Sequence, residues 1–219
     1  MTALFMSKYH IVPACLPYTQ EDLENFLKRW QGHAAHIHID CVGEKYAAGV
    51  LPTLSWRQEV DLLKEYISDF SCIEFHIMDT GFSRESILAI REALPNVLIF
   101  CKEVHHNVCP ELKHPYIVGE MSEDCSDALC MTIENIGVQG QEFLYEHVGE
   151  LVECVTKSAF ENIHIDGGVT PDAIKKVVEN IEPVAGDTAH KHIYFTIGTY
   201  LRGEDYLEKY TDLHNLFPA

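Results

Sequence analysis

The sequence predicts one α/β domain, a (β/α)8 barrel over residues 1–219. Three observations predict it. Eight short apolar runs recur along the chain, and amphipathic stretches of helical period lie between most of them. No low-complexity segment and no Pro/Gly/Ser linker divides the 219 residues, a length that suits one globular domain. Strands alternating with helices argue for a parallel sheet with crossover helices. Eight is the strand number that closes such a barrel, and at 219 residues this one is compact against the roughly 250 of typical examples. The alternative is an open doubly wound sheet. No GxGxxG follows the first strand, which counts against its nucleotide-binding form.

The strand candidates in chain order are 8–14, 36–42, 72–78, 96–104, 116–121, 128–134, 162–168 and 193–198. The first helix, 19–30, opens on Thr19 as N-cap with Asp22 three residues on, a near capping box. The segment 83–94 repeats its apolar residues at helical spacing, as does 140–158. In 170–181, Thr170 precedes Pro171 at the first helical position, where the missing N–H does no harm. The final helix falls within 203–217. The tightest connection is 105–114, which has room for only a turn or two of helix.

Composition excludes several functions. There are 34 Asp and Glu against 16 Lys and Arg, a formal net charge of −18. A nucleic-acid duplex and an anionic membrane surface are therefore unsuitable partners. No stretch approaches the roughly 20 apolar residues of a membrane helix, and the first residues lack the basic and apolar regions of a signal peptide. The eight cysteines form no CxxC pair. Free thiols in a reducing compartment, the cytoplasm, are the expectation.

Barrel active sites lie at the C-terminal ends of the strands. Side chains i and i+2 share a strand face. In 36–42 this puts His38 and Asp40 together, with Ile37 and Ile39 opposite; in 162–168 it puts Asp166 with His164. In 72–78, His76 shares its face with Met78. The isoleucines should face the helices and the polar residues the barrel interior. His164, one layer lower, suits a core histidine, and His33, His36, His105, His106, His190 and His192 suit surface or structural roles. Two buried carboxylates with no Lys or Arg on their strands need a cation or a proton. One divalent metal ion held by His38, Asp40, His76 and Asp166 is the economical partner, and the ligand types admit Zn, Fe, Mn or Co. Glycine-bearing turns after the sixth to eighth strands, at Gly137 and Gly140, Gly167 and Gly168, and Gly198 with Thr199, suit a phosphate held by backbone N–H groups. Arg202 is the only cation near them.

At these residues the chain resembles the ribulose-phosphate 3-epimerase family, in the same order over nearly its whole length. The family's P-S-x-L corresponds to Pro13-Ala14-Cys15-Leu16, and its H-x-D-x-M-D-G to the stretch from His38 to Glu44. Its H-L-M corresponds to His76-Ile77-Met78, and its M-x-V-x-P-G-F-G-G-Q-x-F to 131–143, one residue longer here. Its V-D-G-G corresponds to Ile165-Asp166-Gly167-Gly168, and its G-S to Gly198-Thr199.

The resemblance implies a ribulose-phosphate-binding type of (β/α)8 barrel. It implies an isomerase that inverts C3 of a ketose phosphate, by default D-ribulose 5-phosphate to D-xylulose 5-phosphate. Asp40 and Asp166 would serve as acid and base as well as metal ligands, and Met78 and Met131 would cover the enediolate. A homo-oligomer joined through barrel sides is an expectation of the resemblance alone. Departures lie at the periphery: Ala14, Val42, Gly43-Glu44, Ile136, Gln139 and the segment 101–121. They leave open a paralogue acting on another phosphorylated sugar, or a non-catalytic metal- or phosphate-binding barrel. The D-x-K-x-x-D array of decarboxylase relatives is missing from 40–45.

Overall fold

The computed structural model describes residues 8–42, 54–77, 84–101, 116–122, 125–132, 142–157, 160–184 and 191–217. Among these residues eight strands form: β1 Tyr9–Cys15, β2 His36–Cys41, β3 Cys72–Ile77, β4 Val97–Cys101, β5 Tyr116–Ser122, β6 Cys125–Thr132, β7 Asn162–Asp166 and β8 His192–Ile197. The α-helices among the described residues are α1 Gln20–Trp30, α2 Trp56–Tyr66, α3 Arg84–Ala93, α4 Val148–Lys157, α5 Pro171–Ile181 and α6 Tyr206–His214.

The strands do not make the closed all-parallel (β/α)8 barrel expected from the sequence. Six of them, in the order β7-β8-β1-β2-β3-β4, form a single all-parallel sheet curled into a half-barrel with helices. Pairing continues past this sheet through β5 and β6, but β5 runs antiparallel to both β4 and β6. The physical reason is chain length. Only residues 123–124 separate β5 from β6, and Ser122 pairs with Cys125. A parallel neighbour requires a crossover of a dozen or more residues, whereas a hairpin closes with two. The tight connection expected at 105–114 lies outside the described residues.

Local signals place the helices. Thr19 and Asp22 cap α1 reciprocally, the Thr19 side chain accepting from Asp22 N at 3.1 Å and Asp22 Oδ2 from Thr19 N at 2.9 Å. Thr170 caps α5, with Pro171 in its first turn. α2 adds to the helices expected from sequence, and its signal is the Ser55–Gln58 capping box. α4 is shorter than the 140–158 stretch because its buried stripe of Val148, Leu151 and Val155 begins only at Val148. Tyr145–His147 form a 3-10 turn before it.

Strand alternation decides what faces what. Ile37, Ile39, Ile73, Phe75, Ile163, Ile165, Ile193 and Phe195 are buried in one cluster with Leu23, Leu27, Trp30, Leu63, Ile90, Ile174 and Val177 of the helices. Each such side chain contributes about 1.5–3 kcal/mol of burial. The alternate residues of the same strands, among them His38, Glu74, His76 and His164, line the concave face, and they too are buried. A helix-backed sheet thus carries a polar lining, and that lining holds the candidate site. Among the described residues no helix is long and apolar enough to cross a membrane.

Candidate metal centre

His38 and Asp40 sit on β2, His76 on β3 and Asp166 at the end of β7. The β2–β3 register aligns Asp40 with His76 and His38 with Glu74. Sheet curl then brings β7 within reach. Asp40 Oδ1 lies 3.2 Å from His38 Nε2 and 3.1 Å from His76 Nδ1. Asp166 Oδ2 lies 3.9 Å from His38 Nε2 and 3.5 Å from His76 Nδ1. Each imidazole therefore faces both carboxylates. The histidine side chains are 0% and 2% exposed, and those of Asp40 and Asp166 are 20% and 17% exposed. The centre is closed beneath and open toward the strand ends.

Three of these groups, His38, Asp40 and His76, have shifted pKa values. Burial alone would lower the pKa of His38, but the charge and hydrogen bond of Asp40, aided by Glu74 and Asp166, outweigh it and hold His38 well above 6.5. His76 is raised in the same way: burial opposes, and hydrogen bonds to Asp166 and Asp40 prevail. Burial would raise Asp40, but the His38 charge and the bonds from both imidazoles keep it below the ordinary carboxylate range.

Donor chemistry and spacing fit a metal ion. One ligand atom from each of His38, Asp40, His76 and Asp166 lies within 4.8 Å of all the others. A tetrahedral site with bonds of about 2.1 Å has donor–donor edges of about 3.4 Å. The four imidazole–carboxylate edges, 3.1 to 3.9 Å, bracket that length. This group could hold a metal ion.

The expected phosphate residues are only partly in view. Gly167 and Gly168 have φ of 106° and 63°, the left-handed region where a side chain is strained, and they turn the chain from Asp166 toward the cap of α5. Gly198 lies beside β1, where an added Cβ would meet the Ala14 carbonyl oxygen at 3.6 Å. Thr199 opens a 3-10 turn ending at Leu201. A cleft of about 390 Å³ runs past Ala14, Cys15, Arg29, Gly198 and Arg202. None of the four candidate ligands lines it. Met131 lies on β6 at the register position of Ile165. Met78, Gly137 and Gly140 lie outside the described residues.

Two groups were not picked out from sequence. Glu74 is fully buried on β3, with Oε2 3.0 Å from His38 Nδ1. Burial would raise its pKa, but His164 and His38 pull it down to about 2. The signal for it was the i, i+2 rule: a glutamate two residues before His76 must share its face. The second group lies at the opposite end of the strands. There His10 Nε2 is 3.1 Å from His192 Nδ1, and the Tyr194 ring stacks on His10, His36 and His164. Burial, then the neighbouring imidazoles, lower His10 to about 4. His36 and His192 thus have a packing role, as expected, though inside the curled sheet. Among the described residues, Cys15 and Cys72 are free thiols, and the Cys41 thiol donates toward the Leu54 carbonyl oxygen at 3.7 Å.

No family model matches this sequence, and a search of curated proteins gives no match either.

Proposed function

We propose that the protein is a metal-dependent epimerase that inverts C3 of a ketose phosphate, with D-ribulose 5-phosphate as the default substrate. The observation that carries the reading is the pairing of two carboxylates from different strands, Asp40 and Asp166, against the same two imidazoles. The resemblance to ribulose-phosphate 3-epimerases supports it at the same four positions.

Inversion next to a ketone removes a proton from one face of the carbon and returns one to the other, so it needs a carboxylate on each side. Asp40, on β2 beside both imidazoles and partly exposed toward the strand ends, is placed to accept the proton. Asp166 must then carry a proton and deliver it to the opposite face. The C–H electrons pass to the carbonyl oxygen as the enediolate forms and return to carbon as Asp166 donates. Asp40 ends protonated and Asp166 ionised; exchange with solvent, or the reverse reaction, restores them. A divalent ion held by His38, Asp40, His76 and Asp166 would stabilise the negative charge on the substrate oxygens. The Gly167-Gly168 turn and the Gly198-Thr199 turn offer backbone N–H groups to the phosphate.

The test is solvent exchange. Incubated in deuterium oxide with Zn²⁺, Fe²⁺, Mn²⁺ or Co²⁺, the protein should place deuterium on C3 of D-ribulose 5-phosphate and form D-xylulose 5-phosphate. Exchange on another ketose phosphate would move the substrate and keep the chemistry. No exchange on any ketose phosphate, with the metal bound, would refute the epimerase.

A further inference from the structure

Glu74 is the carboxylate at this centre that the proposed chemistry leaves unused. It sits in the middle of β3, fully buried, with Leu98 beside it on β4 and His38 beside it on β2. Its two oxygens are divided between two imidazoles. Oε2 is 3.0 Å from His38 Nδ1, at hydrogen-bond geometry. Oε1 is 3.1 Å from His164 Nδ1, an ion-pair distance without hydrogen-bond alignment.

The other nitrogen of His38, Nε2, is the one that faces Asp40 and Asp166. An imidazole that offers a lone pair at Nε2 must carry its proton on Nδ1. A carboxylate acceptor at Nδ1 selects that tautomer, fixes the ring plane and raises the basicity of Nε2. Phe100 bounds the same layer, its ring centroid 6.4 Å from that of His38 and 5.1 Å from that of His164. An apolar side chain at position 74 would suit such packing and avoid the penalty of a buried charge. The carboxylate therefore needs a reason beyond packing.

We infer that Glu74 is a positioning residue: it holds His38 as the Nδ1–H tautomer with Nε2 aimed into the metal centre. It is also a brace one layer below that centre. Glu74 shares β3 with His76, its His38 contact reaches β2, and its His164 contact reaches β7, the strand of Asp166. All three strands that carry the candidate ligands are thus tied through one carboxylate. The purpose of this brace rests on the metal reading above.

Glu74→Leu removes the acceptor and keeps an apolar filling; Glu74→Gln keeps a weaker, neutral acceptor. The readouts are Co²⁺ affinity by titration, the visible spectrum of bound Co²⁺, and the imidazole N–H resonances of the Zn²⁺-loaded protein. The unmodified chain should show a slowly exchanging Nδ1–H on His38. Glu74→Leu should weaken Co²⁺ binding about 10–100-fold, change the spectrum and expose that proton to exchange. Glu74→Gln should fall between the two. Binding within two-fold of the unmodified chain, with the same spectrum and the same protected proton, would overturn the inference. Should Glu74→Leu fail to fold, Glu74→Gln decides on the same readouts. An unmodified chain that binds no Co²⁺ would remove the metal reading, and this inference with it.

Discussion

Asp40 Oδ1 lies 3.1 Å from His76 Nδ1 because the β2–β3 register sets their Cα atoms side by side. Asp166 approaches the same nitrogen from β7, at 3.5 Å. One imidazole between two carboxylates is the unit from which the expected behaviour of this centre follows.

Asp40→Asn and Asp166→Asn each remove one proton-transfer group while preserving shape. Each should lower C3 exchange by at least about 10²–10⁴-fold and leave a folded protein by circular dichroism. Near-normal turnover in either variant would refute the acid/base pair.

Metal affinity should be steeply pH-dependent. His38 and His76 are held above 6.5, so binding at neutral pH must expel protons from both. With two protons released, affinity should rise about 100-fold per pH unit below the raised values and level off above them. Calorimetry in buffers of different ionisation enthalpy counts the protons. A flat profile from pH 6 to 8 would contradict the assignment.

The stability of the metal-free chain should show the opposite preference. Imidazoles with raised folded-state pKa stabilise fully below 6.5, and that contribution is lost as pH rises through the raised values. Glu74, lowered from 4.5 to about 2, stabilises fully above 4.5, and that contribution is lost as pH falls toward 2. Denaturant midpoints without metal should therefore peak between about pH 4.5 and 6.5, where both contributions are full. Glu74→Gln should flatten the acid limb.

Metal and fold should be linked. At a free metal concentration 100 times Kd the folded state gains about 2.7 kcal/mol, so a chelator should lower Tm and excess Zn²⁺ restore it. In His76→Ala the metal-dependent part of that shift should largely vanish.

Phe100→Ala should remove about 3–5 kcal/mol of stability, because Phe100 is fully buried with Leu98 and Cys72. It should also weaken metal binding, since the ring lies against His38 and His164. Unchanged metal affinity in the folded variant would show that the ligands are held without it.

What the sequence determined was local. Each of the eight strands, the reciprocal cap of α1 and the proline start of α5 were legible because they depend on spacing and on side chains a few residues apart. The same period-2 rule placed His38, Asp40, His76 and Asp166 on one face, and the tertiary structure brings all four together. Strand direction was not so plain: alternating apolar runs look alike whether the chain goes up or down. The reversal at β5 was set by a link of two residues, 123–124, too short to cross back over the sheet. Glu74 was missed for a related reason. A glutamate in an apolar run gains its role only when curvature brings His164 of β7 opposite His38 of β2, a contact between residues far apart in the chain.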